Sequence, residues 1–275
     1  MFKGDSQMKT TLLAALFLMS ASAFADFSGK IIGQQDENAQ DKVFSQGNME
    51  RLHRGSKEII LTFDDGPTAA VTPKILDTLK EYGVKATFFV IANNAKDHPA
   101  IMKRILAEGH IVANHSLDHH ALKDLSFFSW KKTVKKEVLD AHTILAPYMS
   151  NGKNFYFRAP EGAWDDKFAD LLNKEEIGRQ YIGPILWDIG GEVELKDGQY
   201  VQAADWACWS KKMTIDECLA GYMYESRKVK GGVVLMHDLR PQSAEMLAKY
   251  IPQLISEGFT FGTLDDINWD ARNGK

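Results

Sequence analysis

From Glu58 onward the apolar positions fall into two alternating spacings. Short runs of β-branched and aromatic residues at 59–64, 86–92, 111–114, 155–157, 181–187, 232–236 and 259–262 read as strands. Between them the spacing lengthens to that of a helix face, predicting helices over 72–82, 99–108, 130–148, 166–173, 215–227 and 243–257. Pro73 suits a first helical turn, with Ile75, Leu76 and Leu79 on one face and Gly83 as the stop. Along 130–148, Val134, Val138, Ala141 and Leu145 recur at helical intervals and predict one long regular helix. Thr214 suits the cap of the helix that follows it. The alternation lapses only at 190–212, which holds Gly190-Gly191, Asp197-Gly198, several aromatics and Cys208, and reads as an inserted loop.

Strand and helix alternate about seven times, which predicts a mainly parallel sheet with helices outside, either a barrel or a doubly wound sheet. With no internal repeat and no Pro/Gly/Ser-rich linker, residues 58–275 read as one domain. Residues 26–57 are polar and irregular and read as a lead-in segment.

The first 25 residues differ from the rest. Lys9, the apolar run 12–19 and Ala23-Phe24-Ala25 have the layout of a secretory signal peptide, cleaved before Asp26. That run is too short for a membrane anchor, and no later stretch is long and apolar enough to span a bilayer. The reading implies an exported protein, periplasmic or secreted. Export permits a disulfide between Cys208 and Cys218, the two cysteines of the chain. The 275 residues are 44% hydrophobic and 25% charged, with a net charge of −4, and no basic block points to nucleic acid.

In parallel α/β folds the chemistry gathers at the carboxyl ends of strands. The first strand ends in Asp64-Asp65-Gly66-Pro67, two adjacent carboxylates whose roles must be separated, for instance by a metal on one. The third is followed by His115-Ser116-Leu117-Asp118-His119, whose imidazoles can share one metal and, with Asp65, complete a two-His, one-carboxylate set. Arg158-Ala159-Pro160 puts a cation after the fourth strand, and His237-Asp238 follows Val233–Met236.

In order and rough spacing, Thr62–Pro67, His115–His119, Arg158–Pro160 and Leu235–His237 resemble the polysaccharide deacetylase family, carbohydrate esterase family four. The resemblance covers about residues 58–262. It implies a distorted (β/α) barrel of about seven parallel strands that removes acetyl groups from N-acetylated sugars of a glycan polymer with a divalent metal, expected to be Zn2+. It also implies Asp65, His115 and His119 as metal ligands, Asp64 as general base held by Arg158, His237 as general acid and Leu235 in the acetyl pocket. Two departures stand out. Glu161 occupies the place of an aromatic residue, with Trp164 as a replacement ring and Trp187 as a further wall of the substrate site. The family's Asp-x-x-Asp-Trp support for the acid is not found at Trp187–Glu192, so Asp188 is the expected partner of His237, with Asp205-Trp206 the second candidate. Trp206, Trp209 and Tyr200 serve either to stack on sugar or to pack the insertion. Peptidoglycan is the favoured substrate. Chitooligosaccharide, poly-N-acetylglucosamine, a small-molecule amide and a silent glycan-binding role are the alternatives.

Overall fold

The computed structural model describes residues 55–123, 125–267 and 269; the predicted signal peptide and nearly all of the lead-in lie outside them. The first strand, β1 (Glu58–Asp64), is buried from Ile59 to Asp64. That continuous apolar run is what a central parallel strand covered on both faces requires. It is followed by α1 (Thr72–Glu81), β2 (Thr87–Val90), α2 (Ala92–Asp97), α3 (Pro99–Ala107) and β3 (Ile111–Asn114). The chain continues through α4 (Trp130–Lys135), a π-turn (Lys136–Asp140), α5 (Ala141–Leu145), β4 (Phe155–Tyr156), α6 (Asp166–Leu172) and β5 (Tyr181–Ile182). It ends with β6 (Glu194–Lys196), β7 (Gln199–Gln202), α7 (Asp205–Ser210), α8 (Ile215–Val229), β8 (Gly232–His237), α9 (Pro241–Ser256) and β9 (Thr260–Gly262).

Five strands form one parallel sheet, in the order β3-β2-β1-β8, with β9 also paired to β1. Since β8 runs along β1 from Ile59 to Asp64, β2 and β9 share its opposite edge, β2 near Asp64 and β9 near Glu58. Beyond the sheet, hydrogen bonding passes through single bridges, Asn114 to Phe157 and Ile189 to Val234, and through the short β4–β5 pair. All seven expected strands are thus present in parallel pairs; among the described residues five share one sheet, and β4 and β5 continue it as a bridged arc. The strand expected over 181–187 stops at Ile182, because Gly183–Pro184 has no N–H at Pro184 to continue a ladder.

Alternation along β1 decides what each side chain meets. Ile59, Leu61 and Phe63 join the core between sheet and helices, whereas Ile60 joins a second cluster with Phe89, Tyr156, Ile182, Ile185 and Val233. Thr62 and Asp64 share the parity of Ile60, so Asp64 is carried to the interior mouth of the arc. In register, Asp64 of β1 stands beside His237 of β8. Parallel pairing alone therefore brings these residues, 173 positions apart, to adjacent strand ends.

The 190–212 segment is not a structureless loop. It forms an antiparallel hairpin, β6–β7, and the helix α7. A capping box at Thr214 and Glu217 starts α8, and Cys208 of α7 is bonded to Cys218 of α8, as expected. The bridge fastens α7 to α8.

Candidate active site

The turn after β1 is held from three directions. The carbonyl of Asp64 accepts the Asp238 N–H (3.3 Å), that of Asp65 accepts Asn94 Nδ2 (2.7 Å), and that of Gly66 accepts the Ile91 N–H (3.1 Å). Asp65 is thereby kept at φ +76°, a left-handed conformation that a non-glycine residue adopts only when its surroundings enforce it. Gly66 is required for a different reason: a Cβ there would lie 1.9 Å from Asp238 Oδ2. Asp238 is buried and accepts the Thr72 hydroxyl at 2.5 Å, and burial pushes its carboxyl up to about 7.

The loop after β3 delivers the imidazoles. His115 Nε2 and His119 Nε2 each stand 3.2 Å from Asp65 Oδ1, and one ligand atom of each residue lies within 4.8 Å of the others. His115 Nδ1 lies 2.9 Å from the carbonyl of Arg158. A carbonyl only accepts, so Nδ1 carries a proton, and in the neutral imidazole that metal ligation requires Nε2 turns its lone pair toward Asp65. Asp65 Oδ1 is buried and accepts no directed hydrogen bond. A lone pair facing a carboxylate oxygen is repulsive unless a cation lies between them, and a two-nitrogen, one-oxygen set suits a divalent transition metal. The three residues therefore fit such an ion.

Asp64 is held from the other side. Arg158, fully buried, donates from Nη1 to Asp64 Oδ1 at 2.6 Å and to Thr62 at 2.8 Å. Its remaining nitrogens donate to the carbonyls of Ile185 (3.0 Å) and Leu186 (3.3 Å), and its guanidinium lies 4.1 Å from the Phe89 ring centroid. With Oδ1 held, Asp64 Oδ2 is left toward the cavity, 3.7 Å from His115 Nε2.

The partner of His237 is Asp205, not Asp188. His237 Nδ1 is 2.7 Å from Asp205 Oδ1, and the His237 N–H donates to Oδ2 at 2.8 Å. The Ser243 hydroxyl (2.7 Å) and the Trp206 N–H (2.8 Å) complete the carboxylate's set. Burial works against the imidazolium, but the Asp205 carboxylate outweighs it, with help from Asp64 and Asp65, and pushes His237 up to about 9. Asp188 points elsewhere because its segment bridges to β8, and there its Oδ2 accepts the Val233 N–H at 2.9 Å.

Asp64, Asp65, His115, His119, His237, Leu235, Glu161 and Trp187 all line one cavity of about 760 Å³. Trp164 does not line it; its ring packs between Phe157 and Phe168. Glu161, at φ +56°, sits on the rim and pairs with Lys123. Trp206, half exposed, lines the cavity from α7, whereas Trp209 donates to Ser243 at 3.0 Å and packs the insertion. Asn94, Glu137 and Ser243 carry no signal in the sequence, where Glu137 and Ser243 read as ordinary helix residues and Asn94 as part of a connection.

Residues 52–179 match the family described as polysaccharide deacetylase. The peptidoglycan-N-acetylglucosamine deacetylase PgdA of Listeria monocytogenes is 35% identical over 216 residues, which is 77% of this chain and 39% of that protein, so the chain spans about two fifths of that relative's length. The chitooligosaccharide deacetylase of Sinorhizobium fredii is 31% identical over 227 residues, 78% of this chain and 93% of that one. Among solved structures, a peptidoglycan N-acetylglucosamine deacetylase bound to an N-oxidanyl-benzamide superposes with a TM-score of 0.61 at 29% identity, over 78% of this chain and 90% of its own.

Proposed function

The chain belongs to the polysaccharide deacetylase family, and from that premise we propose that it removes acetyl groups from N-acetylglucosamine residues of peptidoglycan, releasing acetate. The observation that carries this reading is the convergence, in one cavity, of a two-His, one-Asp set with Asp64 on one side and His237 on the other. Asp65, His115 and His119 would hold the cation, with zinc the first choice for an imidazole-rich set. When bound, it supplies Lewis acidity toward the amide carbonyl and toward water.

The chain's own groups do the proton work. Asp64 Oδ2, left free by the Arg158 clamp on Oδ1, takes the proton of the attacking water. His237 is an imidazolium at neutral pH, and its Nε2 gives a proton to the departing nitrogen, which leaves as a sugar amine. The new bond is from carbonyl carbon to water oxygen, the broken one from carbonyl carbon to nitrogen. Leu235, apolar and in the cavity wall, suits the acetyl methyl, while Trp187 and Trp206 offer rings for sugar faces.

We read residues 58–275 as the catalytic domain and residues 1–25 as its export signal. The 31% likeness to a chitooligosaccharide deacetylase over nearly that enzyme's whole length makes chitin-type oligomers the second substrate class. Acetate release from peptidoglycan, chitin oligomers and poly-N-acetylglucosamine, with and without chelator, tests both. No release from any of them by zinc-loaded protein would leave only a glycan-binding role.

A further inference from the structure

The helix expected to run regularly over 130–148 is interrupted by the π-turn Lys136–Asp140. Such turns are uncommon and are retained where the displaced register does something a regular helix would not. Here two consecutive residues of the π-turn, Glu137 and Val138, are both buried, and both reach the strand end that carries the imidazoles. The Val138 carbonyl accepts Asn114 Nδ2 at 3.0 Å, and Asn114 Oδ1 accepts the Ser116 N–H at 2.8 Å. Glu137 Oε2 accepts the N–H groups of both Leu117 and Asp118, each at 3.2 Å.

The segment so gripped is a costly one. Ser116 and His119 have φ of +74° and +62°, and each left-handed non-glycine residue costs roughly 1–2 kcal/mol. Glu137 is 2% exposed, and an interior carboxylate needs charge-assisted hydrogen bonds to be tolerated. The two features offset each other: loop amides that face inward satisfy the carboxylate, and the carboxylate holds the loop in the conformation that sets the two imidazoles on Asp65.

We propose that the π-turn presets the His115–His119 loop and that Glu137 is a positioning residue for the metal set. Glu137 touches neither imidazole; it acts through the backbone between them. The inference rests on Asp65, His115 and His119 being the metal ligands.

The test is Zn2+ affinity of the folded, metal-free protein, measured by competition with a chromophoric chelator. Glu137→Leu should weaken Zn2+ binding about 10–100-fold, the usual effect of losing a group that orients ligands. Glu137→Gln keeps a neutral acceptor in place and should lose about 3–10-fold, since neutral bonds are roughly half as strong. Val138→Ala, in the same π-turn, should lower the unfolding temperature while leaving Zn2+ affinity unchanged, which a merely structural role for Glu137 would not separate. If folded Glu137→Leu binds Zn2+ like the parent while His115→Ala does not, the positioning role is refuted and the ligand assignment stands. If His115→Ala binds like the parent, the ligand assignment itself fails. Should Glu137→Leu not fold, Glu137→Gln decides alone, and unchanged affinity refutes the proposal.

Discussion

Replacing Asp205 by Asn probes the acid side of the site in a way that separates charge from shape. The imidazole of His237 stands at about 9 instead of 6.5, a preference for the imidazolium worth about 3 kcal/mol. That is a net value, because burial of His237 pulls the other way and the Asp205 carboxylate is the strongest influence opposing it. Asn keeps the size and one acceptor but removes the charge 2.7 Å from Nδ1. With Asp65 committed to the metal in the assayed protein, Asp64 is the nearby carboxylate that remains, and the imidazole should fall by about two pH units. A raised value keeps the proton donor charged up to high pH, so the parent's kcat/KM should fall only as pH rises through about 9. In Asp205→Asn that alkaline fall should begin near neutrality. The same shift contributes stability that is complete below 6.5 and lost as pH rises through about 9, so the stability gap between the two proteins should narrow there. The assay is initial acetate release from a chitin oligomer across the pH range, with unfolding midpoints measured in parallel. Asn also presents an N–H2 to donors at Ser243 and the His237 amide, so the height of the profile will drop for geometric reasons. Its shape is decisive: an unmoved alkaline limb would refute control of His237 by Asp205.

Asp64→Asn should cut turnover by about 10²–10⁴-fold, the range of a lost general base, with Zn2+ affinity preserved, whereas His115→Ala should lose both; isothermal titration beside the acetate assay distinguishes them. Arg158→Met leaves the buried Asp64 carboxylate without its cation and should cost about 3–5 kcal/mol, read as a lower urea midpoint. Opening the Cys208–Cys218 bridge, which closes a loop of sequence separation 10, should cost about 3 kcal/mol. Because α7 carries Asp205, the reduced protein should also show the early alkaline fall of Asp205→Asn, while an unchanged profile would mean that α7 is held without the bridge.

Local pattern sufficed for much of this protein. Period-two and helical spacings report which residues share a face, so β1, β3, α1, α8 and β8 were legible within a residue or two. Adjacent carboxylates at a strand end and imidazoles four apart mark the candidate metal ligands, although the pairing of β1, β2 and β3 is what brings Asp65 to imidazoles 50 and 54 positions away. What spacing cannot report is which distant groups meet once loops close. Asp188 lies next to Trp187 in the chain, but its segment bridges to β8 and spends its carboxylate on the Val233 amide. Asp205 reaches His237 because a hairpin and a disulfide fold the insertion back over the strand ends. Trp164 turned inward because Phe157 and Phe168 offer it a core rather than a cleft. The π-turn was invisible for a related reason: one extra residue in a turn hardly disturbs the apolar period of 130–148, yet it decides that Glu137 faces the His115–His119 loop. The order of residues along the chain thus settled which functional groups stand at each strand end. Folding in three dimensions chose their partners, since a hydrogen bond depends on distance and direction in space and not on separation along the chain.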